Sequence, residues 1–288
     1  MTTRIRACSA IGTSQATESQ RCSAQLPFRC PSEVIYWVYQ SFSLRIRIST
    51  LDKSVVGVDA CPLGWLATVI DADGVRTETH EQFDELYETY AKADQILVDI
   101  PIGLPEDERR RCDEDASDLL GSRGISVFYP PCRSAAELTE YQEASDEHRD
   151  RIGYGLSRQA YSIGRKIVQV ADVIGERYDG VVRESHPELC FAALNGQPLA
   201  YSKSSDRGRG LRMKLLSDEL NDAESHYREI RNEYFLKEAR RDDILDSMIL
   251  AVAAWNKNLV TVPSDPLPSE PRIYYPEFDV PILCRTCW

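Results

Sequence analysis

The chain has 288 residues, 42% of them hydrophobic, which is enough for one large domain or two small ones with a full core. Its 34 Lys and Arg face 46 Asp and Glu, a formal net charge of −12, and this speaks against a nucleic-acid partner because phosphate binding leaves a basic footprint. No stretch approaches the roughly 18 apolar residues of a membrane span, and the N-terminus lacks a basic region followed by an apolar one, so a cytoplasmic protein without membrane association is expected.

The charge is uneven. Residues 1–50 hold six Arg, no Lys and only Glu18 and Glu33, for a net of +4, while the remainder carries −16. This first segment is rich in Ser, Thr, Gln and Arg and has one amphipathic patch, at Ile35 to Tyr39. It is expected to be a disordered extension or a stretch translated from upstream of the true start. The rest of the chain is Lys-poor, with seven Lys beside 27 Arg overall, and its carboxylate-rich surface suits a halophilic cytoplasm. Nine Cys without regular spacing indicate reduced thiols, and the single CxxC of Cys284 and Cys287 lacks the second ligand pair of a structural zinc site.

From Ser54 the pattern changes. Val55 to Asp59, Trp65 to Ile70 and Val75 to Thr79 are three β-branched or apolar runs, the last two joined by the turn Asp71-Ala72-Asp73-Gly74, and together they predict an antiparallel meander. Glu81 to Ala93 has helical spacing, and Gln95 to Asp99 is a buried strand stopped by Pro101. A strand reached through a helix returns parallel to a neighbour. If that neighbour is the first strand, Asp59 and Asp99 lie side by side. The polar, Gly- and Pro-broken text between Pro101 and Tyr154 is too long for an ordinary connection and reads as a functional insertion or lid. Leu156 to Arg177 is a helix, Gly180 to Glu184 a strand, and Gly208 and Gly210 belong to a Gly- and Arg-rich loop. Leu211 to Leu220, Tyr227 to Ala239 and Asp242 to Trp255 are helices. The tail from residue 263 to 288, with six Pro, is expected to be extended.

Three predicted strands thus end in an acid, Asp59, Asp99 and Glu184, and the last helix opens with Asp242, Asp243 and Asp246. Asp243 and Asp246 share a helical face. Each acid has a structural alternative, as a turn former after a strand or as a charge on a helix start. Jointly they suggest a crevice at the carboxyl ends of the strands. Crowded carboxylates raise one another's pKa, and a divalent metal removes that cost. Oxygen ligands without a nearby Cys suit Mg²⁺ or Mn²⁺, and a pair of such ions serves phosphodiester cleavage.

The element order, with acids at the ends of the first and fourth strands and on the last helix, resembles the ribonuclease H-like fold. More closely, Gly57-Val58-Asp59-Ala60-Cys61-Pro62-Leu63-Gly64-Trp65, Val98-Asp99-Ile100-Pro101-Ile102-Gly103-Leu104, Arg111-Cys112-Asp113, Ser126-Val127-Phe128, Glu184-Ser185-His186-Pro187-Glu188 and Asp242-Asp243-Ile244-Leu245-Asp246-Ser247 resemble the domain-of-unknown-function family 429, regarded as predicted ribonuclease H-like nucleases. The resemblance covers roughly residues 54 to 262. It implies an α/β domain over residues 51–262, with a mixed sheet of three antiparallel and then parallel strands flanked by helices and a long insertion after the fourth strand. It further implies Asp59, Asp99 and Glu184 as metal ligands. Asp243 and Asp246 match the closing Asp-x-x-Asp helix motif of Holliday-junction resolvases, with Ser247 where that motif usually has Ala. His186 would assist a proton transfer or orient a water, or simply be a hydrogen-bonded residue before Pro187. Arg111, Arg123, Arg133 and Lys203 would face phosphate.

The leading expectation is a metal-dependent nuclease with a two-metal carboxylate site. An ATP-dependent phosphotransferase on the same core would open with a Gly- and hydroxyl-rich hairpin, whereas Cys61-Pro62-Leu63-Gly64 offers one Gly and no hydroxyl. A non-catalytic nucleic-acid-binding module is the third class, and the complete acid set argues against it.

Overall fold

The computed structural model describes residues 53–255 and 258–277. The expected N-terminal extension, the last 11 residues of the tail and the Cys284/Cys287 pair lie outside the described residues.

Strands β1 (Val55–Cys61), β2 (Gly64–Asp71) and β3 (Gly74–His80) form the expected antiparallel meander. The β1–β2 turn depends on Gly64, whose φ is +137° and where a Cβ would fall 2.3 Å from the His80 carbonyl oxygen. Helix α1 (Phe83–Thr89) buries Phe83 edge-on against Trp65 and leads to β4 (Gln95–Val98), which runs parallel to β1 with Val58 opposite Val98. The segment read from sequence as an insertion or lid, without assigned elements, holds α2 (Arg111–Leu120), a 3₁₀ turn (Gly121–Ser126), α3 (Arg133–Ala136) and α4 (Tyr141–Ile152). Helix α5 (Arg158–Ile174) follows, capped by Ser157, and then β5 (Val182–Glu184) adds parallel to β4. The sheet order is β3-β2-β1-β4-β5.

Beyond β5 come α6 (Pro187–Asn195), α7 (Asp206–Glu219), α8 (Ala223–Glu233) and α9 (Arg241–Trp255). Helix α6 was not expected; Pro187 takes its first helical position, where the missing N–H costs nothing. Helix α7 begins five residues before the predicted Leu211 and includes both glycines assigned to a loop. Gly208 is needed there: a Cβ would lie 1.9 Å from the Ser202 oxygen, so the loop carrying Lys203 packs directly on the helix. Helix α8 stops at Glu233, short of the predicted Ala239, because residues 235–239 close a separate turn on the Phe235 carbonyl. In the Pro-rich tail, β7 (Ile273–Pro276) pairs antiparallel with β6 (Leu259–Val262), and Tyr274 accepts a 2.7 Å hydrogen bond from the Ser185 hydroxyl.

The five-stranded sheet is covered on both faces. Val56, Val58, Ile96, Val98 and Val182 pack with α1 and α5, whereas Val55, Cys61, Leu66 and Leu97 pack with α6 to α9. Helix α9 lies against β1 where Gly57 leaves no side chain; a Cβ would sit 2.1 Å from the Ala251 nitrogen. The Ser247 hydroxyl, in the place expected to favour Ala, meets Thr68 Oγ1 at 2.8 Å, inside the chain Ser247–Thr68–Thr77–His226.

Candidate metal centre

Strand periodicity decides which acids meet. Side chains alternate between faces, so Asp59 follows Val55 and Gly57 toward α9, and Asp99 follows Leu97 to that same face. Residues Val58 and Val98 are paired, which sets Asp59 beside Asp99 one residue further on. The close approach of α9 over Gly57 then brings in Asp246, three residues after Asp243 on the first turns of the helix. Carboxylate oxygens of Asp59, Asp99 and Asp246 lie within 4.8 Å of one another.

Glu184 does not join them. It is paired with Val98, whose side chain belongs to the opposite face. There it accepts from Arg110 at 2.6 and 2.9 Å and from the Ile102 backbone N–H at 2.7 Å, while Arg110 also grips Asp113. In the grouping of Cys112, Asp113 and Glu184 both carboxylates are thus already engaged by the Arg110 guanidinium. Burial, opposed by Arg110, pushes Glu184 to about 7.

The three clustered acids have few partners of their own. Asp59 Oδ1 accepts the Ala60 N–H at 2.7 Å, and Asp246 Oδ2 accepts from Lys203 Nζ at 2.8 Å. Asp246 Oδ1 is buried without a hydrogen bond, and the Asp99 carboxylate accepts none among the described residues. Burial, with the charges of Asp99, Asp246 and Asp243, holds Asp59 well above the usual carboxylate range. Burial and Asp246 push Asp99 to about 7, and burial also raises Asp246, in both cases against Lys203. Asp243 is raised to about 6 by burial; its Oδ2 reaches back to the Arg240 N–H at 2.8 Å, the return half of a capping box. A buried oxygen without a donor, among carboxylates whose proton affinities are raised by burial and by one another, is a donor set that fits a hard cation.

A cleft of about 650 Å³ opens over this cluster. Lys166, Lys203 and Arg240 line it, with Gln159 and Ser162 from α5 and Phe128 and the 91% exposed Ile125 from the segment after α2. Of the four cations expected to face phosphate, Lys203 does line the cleft, and Arg123 stands 3.8 Å from Glu188 Oε2 at its edge. Arg111 is engaged by Asp265 and Glu270, and Arg133 by Glu106 and Glu176, away from the cleft. His186 caps α6: its Nδ1 accepts the Glu188 N–H at 3.2 Å, its Nε2 is 3.4 Å from the Ser126 carbonyl, and burial lowers its pKa. Glu188 was not singled out from sequence. It lines the cleft, Arg212 holds its Oε1, and its buried Oε2 has no hydrogen bond.

A family's sequence profile matches residues 57–267, a span that includes every carboxylate of the cluster. The chain belongs to DUF429, described as protein of unknown function. No curated protein and no solved structure gives a significant match. The matched span runs from Gly57, where α9 meets the sheet of this DUF429 chain, past the end of β6. Among the described residues no helix is long and apolar enough to cross a membrane.

Proposed function

We propose that this DUF429 chain is a metal-dependent phosphodiesterase acting on nucleic acid, on a ribonuclease H-like scaffold, with Mg²⁺ or Mn²⁺ as cofactor. The observation that carries the reading is the convergence of Asp59, Asp99 and Asp246 from three elements, with a buried Asp246 oxygen left without a donor. Three carboxylates without thiolate or imidazole among them suit a hard divalent ion. When bound, such an ion supplies positive charge at a phosphoryl oxygen and acidifies a water.

The chain's own groups do the rest. Asp59, Asp99 and Asp246 hold the ion, and Asp243 fixes the start of α9 that presents Asp246. Lys203, with a 42% exposed side chain, offsets the carboxylate charge and offers an ammonium to the substrate, and Arg240 adds a guanidinium along the cleft. His186 positions Glu188 and the start of α6, with both ring nitrogens engaged, and transfers no proton in this reading. Phosphotransfer is less well supported, because the β1–β2 turn directs the carbonyls of Cys61 and Gly64 at Lys166 Nζ and forms no cradle of N–H groups.

A cleavage screen over single-stranded, duplex, hybrid and branched nucleic acids with Mn²⁺ tests the proposal. Asp59→Asn and Asp99→Asn should lower the rate roughly 100-fold or more while the protein stays folded. Equal cleavage by wild type and both variants refutes it, and binding without cleavage by the wild type returns the protein to the class of non-catalytic modules.

A further inference from the structure

Beside the carboxylate cleft, with Phe128 as a shared wall, lies a second cavity of about 200 Å³ formed by the segments before α2 and α3, by α4 and by the loop that joins α4 to α5. A cavity of roughly 150 Å³ holds a benzene ring, so this one has room for a single heterocycle. Its walls include Phe128, Tyr129, Tyr154 and Leu156, and it contains two polar groups whose bonding is incomplete.

The first is Arg109. Its guanidinium lies over the rings of Tyr129 and Tyr154, at 4.1 and 4.3 Å, and makes no ion pair among the described residues, in a chain with 46 Asp and Glu. The adjacent Arg110, by contrast, spends its N–H groups on Asp113, Glu184 and the carbonyls of Ile102 and Gly103. A stacked guanidinium keeps its edge free for a phosphate or carboxylate. The second group is His148, 5% exposed, whose Nδ1 accepts the Cys132 backbone N–H at 3.0 Å. The proton of the neutral ring is therefore on Nε2, a donor without an acceptor among the described residues.

We propose that this cavity binds one mononucleotide unit, with the base enclosed between Phe128 and Leu156, a base acceptor on His148 Nε2–H, and the phosphate on Arg109. Tyr154, 58% exposed, stands at the mouth and adds a stacking face. Its use as a pocket for a nucleotide flanking the scissile bond rests on the phosphodiesterase reading; the binding itself does not.

Calorimetric titration of AMP, GMP, CMP and UMP in EDTA, with inorganic phosphate and the free nucleosides as separate arms, tests the proposal without engaging the metal centre. At least one monophosphate should bind wild type more tightly than its nucleoside or phosphate does. Arg109→Gln should weaken that binding about tenfold or more. His148→Asn, which keeps an acceptor for the Cys132 N–H and removes the Nε2 donor, should do the same. Thermal melts establish that each variant is folded, and if one is not, the other decides. No binding by folded wild type, or binding that no folded variant weakens, overturns the assignment. Cleavage without mononucleotide binding removes the pocket alone, and binding without cleavage removes the phosphodiesterase reading alone.

Discussion

Two acids that end adjacent strands, Asp99 and Glu184, meet opposite fates because their registers place them on opposite faces of the sheet. Glu184 gains a guanidinium and becomes structural, while Asp99 faces other carboxylates and is pushed from its ordinary 3.8 to about 7. That shift makes a stability prediction. Between about pH 4 and 7 the folded chain keeps a proton on Asp99 that the unfolded chain releases, so this group's contribution to stability falls as pH rises through the window and stays lost above it. Asp99→Asn removes the penalty. Without metal the variant should be more stable than wild type at pH 8, on the order of 1–2 kcal/mol, with the gap closing toward pH 4. Urea unfolding at the two pH values checks this, and a gap that widens on acidification contradicts it. Asp59, Asp99, Asp243 and Asp246 were legible as candidates because their positions at strand ends and one helical face follow from periodicity alone. Glu184 was legible as a strand end but not by face, since the register against β4 and the Arg110 partner lie in segments whose folding the sequence left unread. Glu188 had a readable signal, a Pro at the first position of a helix, that the reading of the strand ends did not use.

Among the elements, α9 against β1 sets the geometry of the cluster. A Cβ on Gly57 would fall within 2.1 and 2.2 Å of the Ala251 nitrogen and the Ser247 oxygen, both backbone atoms that yield only if the whole helix moves. Gly57→Ala should therefore cost about 1–3 kcal/mol or more by thermal unfolding and weaken metal affinity with it. A variant as stable as wild type would mean that the helix is not seated this closely. The meander and β4 were readable because β-branched runs are bounded by turn residues and Pro101. Helix α9 was readable as a helix, yet not the extent of its burial, since Asp243 to Ala254 are all buried. Helices α2 to α4 escaped detection because the text around them is polar and interrupted by Pro130-Pro131, and because α3 and α4 serve a small satellite core of Cys132, Ala135, Ala144, Leu156 and Ala160, while α2 adds only Cys112, Ala116 and Leu120 to the main core.

Over the whole molecule, the net charge of −12 coexists with a cleft that has its own cations, Lys166, Lys203 and Arg240. At about 1 M salt the Debye length is roughly 3 Å, so distant acids scarcely repel a phosphate backbone while contacts within the cleft persist. The same screening relieves repulsion across the acidic surface. The melting temperature should therefore rise between about 0.1 and 1 M KCl, and a flat or falling trend would contradict repulsion across that surface as a destabilising force.

The most direct test of the metal centre is calorimetric titration of Mn²⁺ into the full chain at about pH 7.5, beside Asp59→Asn and Asp246→Asn, in two buffers of different ionisation enthalpy. Wild type should bind with release of protons, because the Asp99 carboxyl is pushed to about 7 and that of Asp59 is held well above the usual carboxylate range, and each variant should lose binding. A folded wild type that binds no Mn²⁺, or variants that bind it as well as wild type does, would contradict the account.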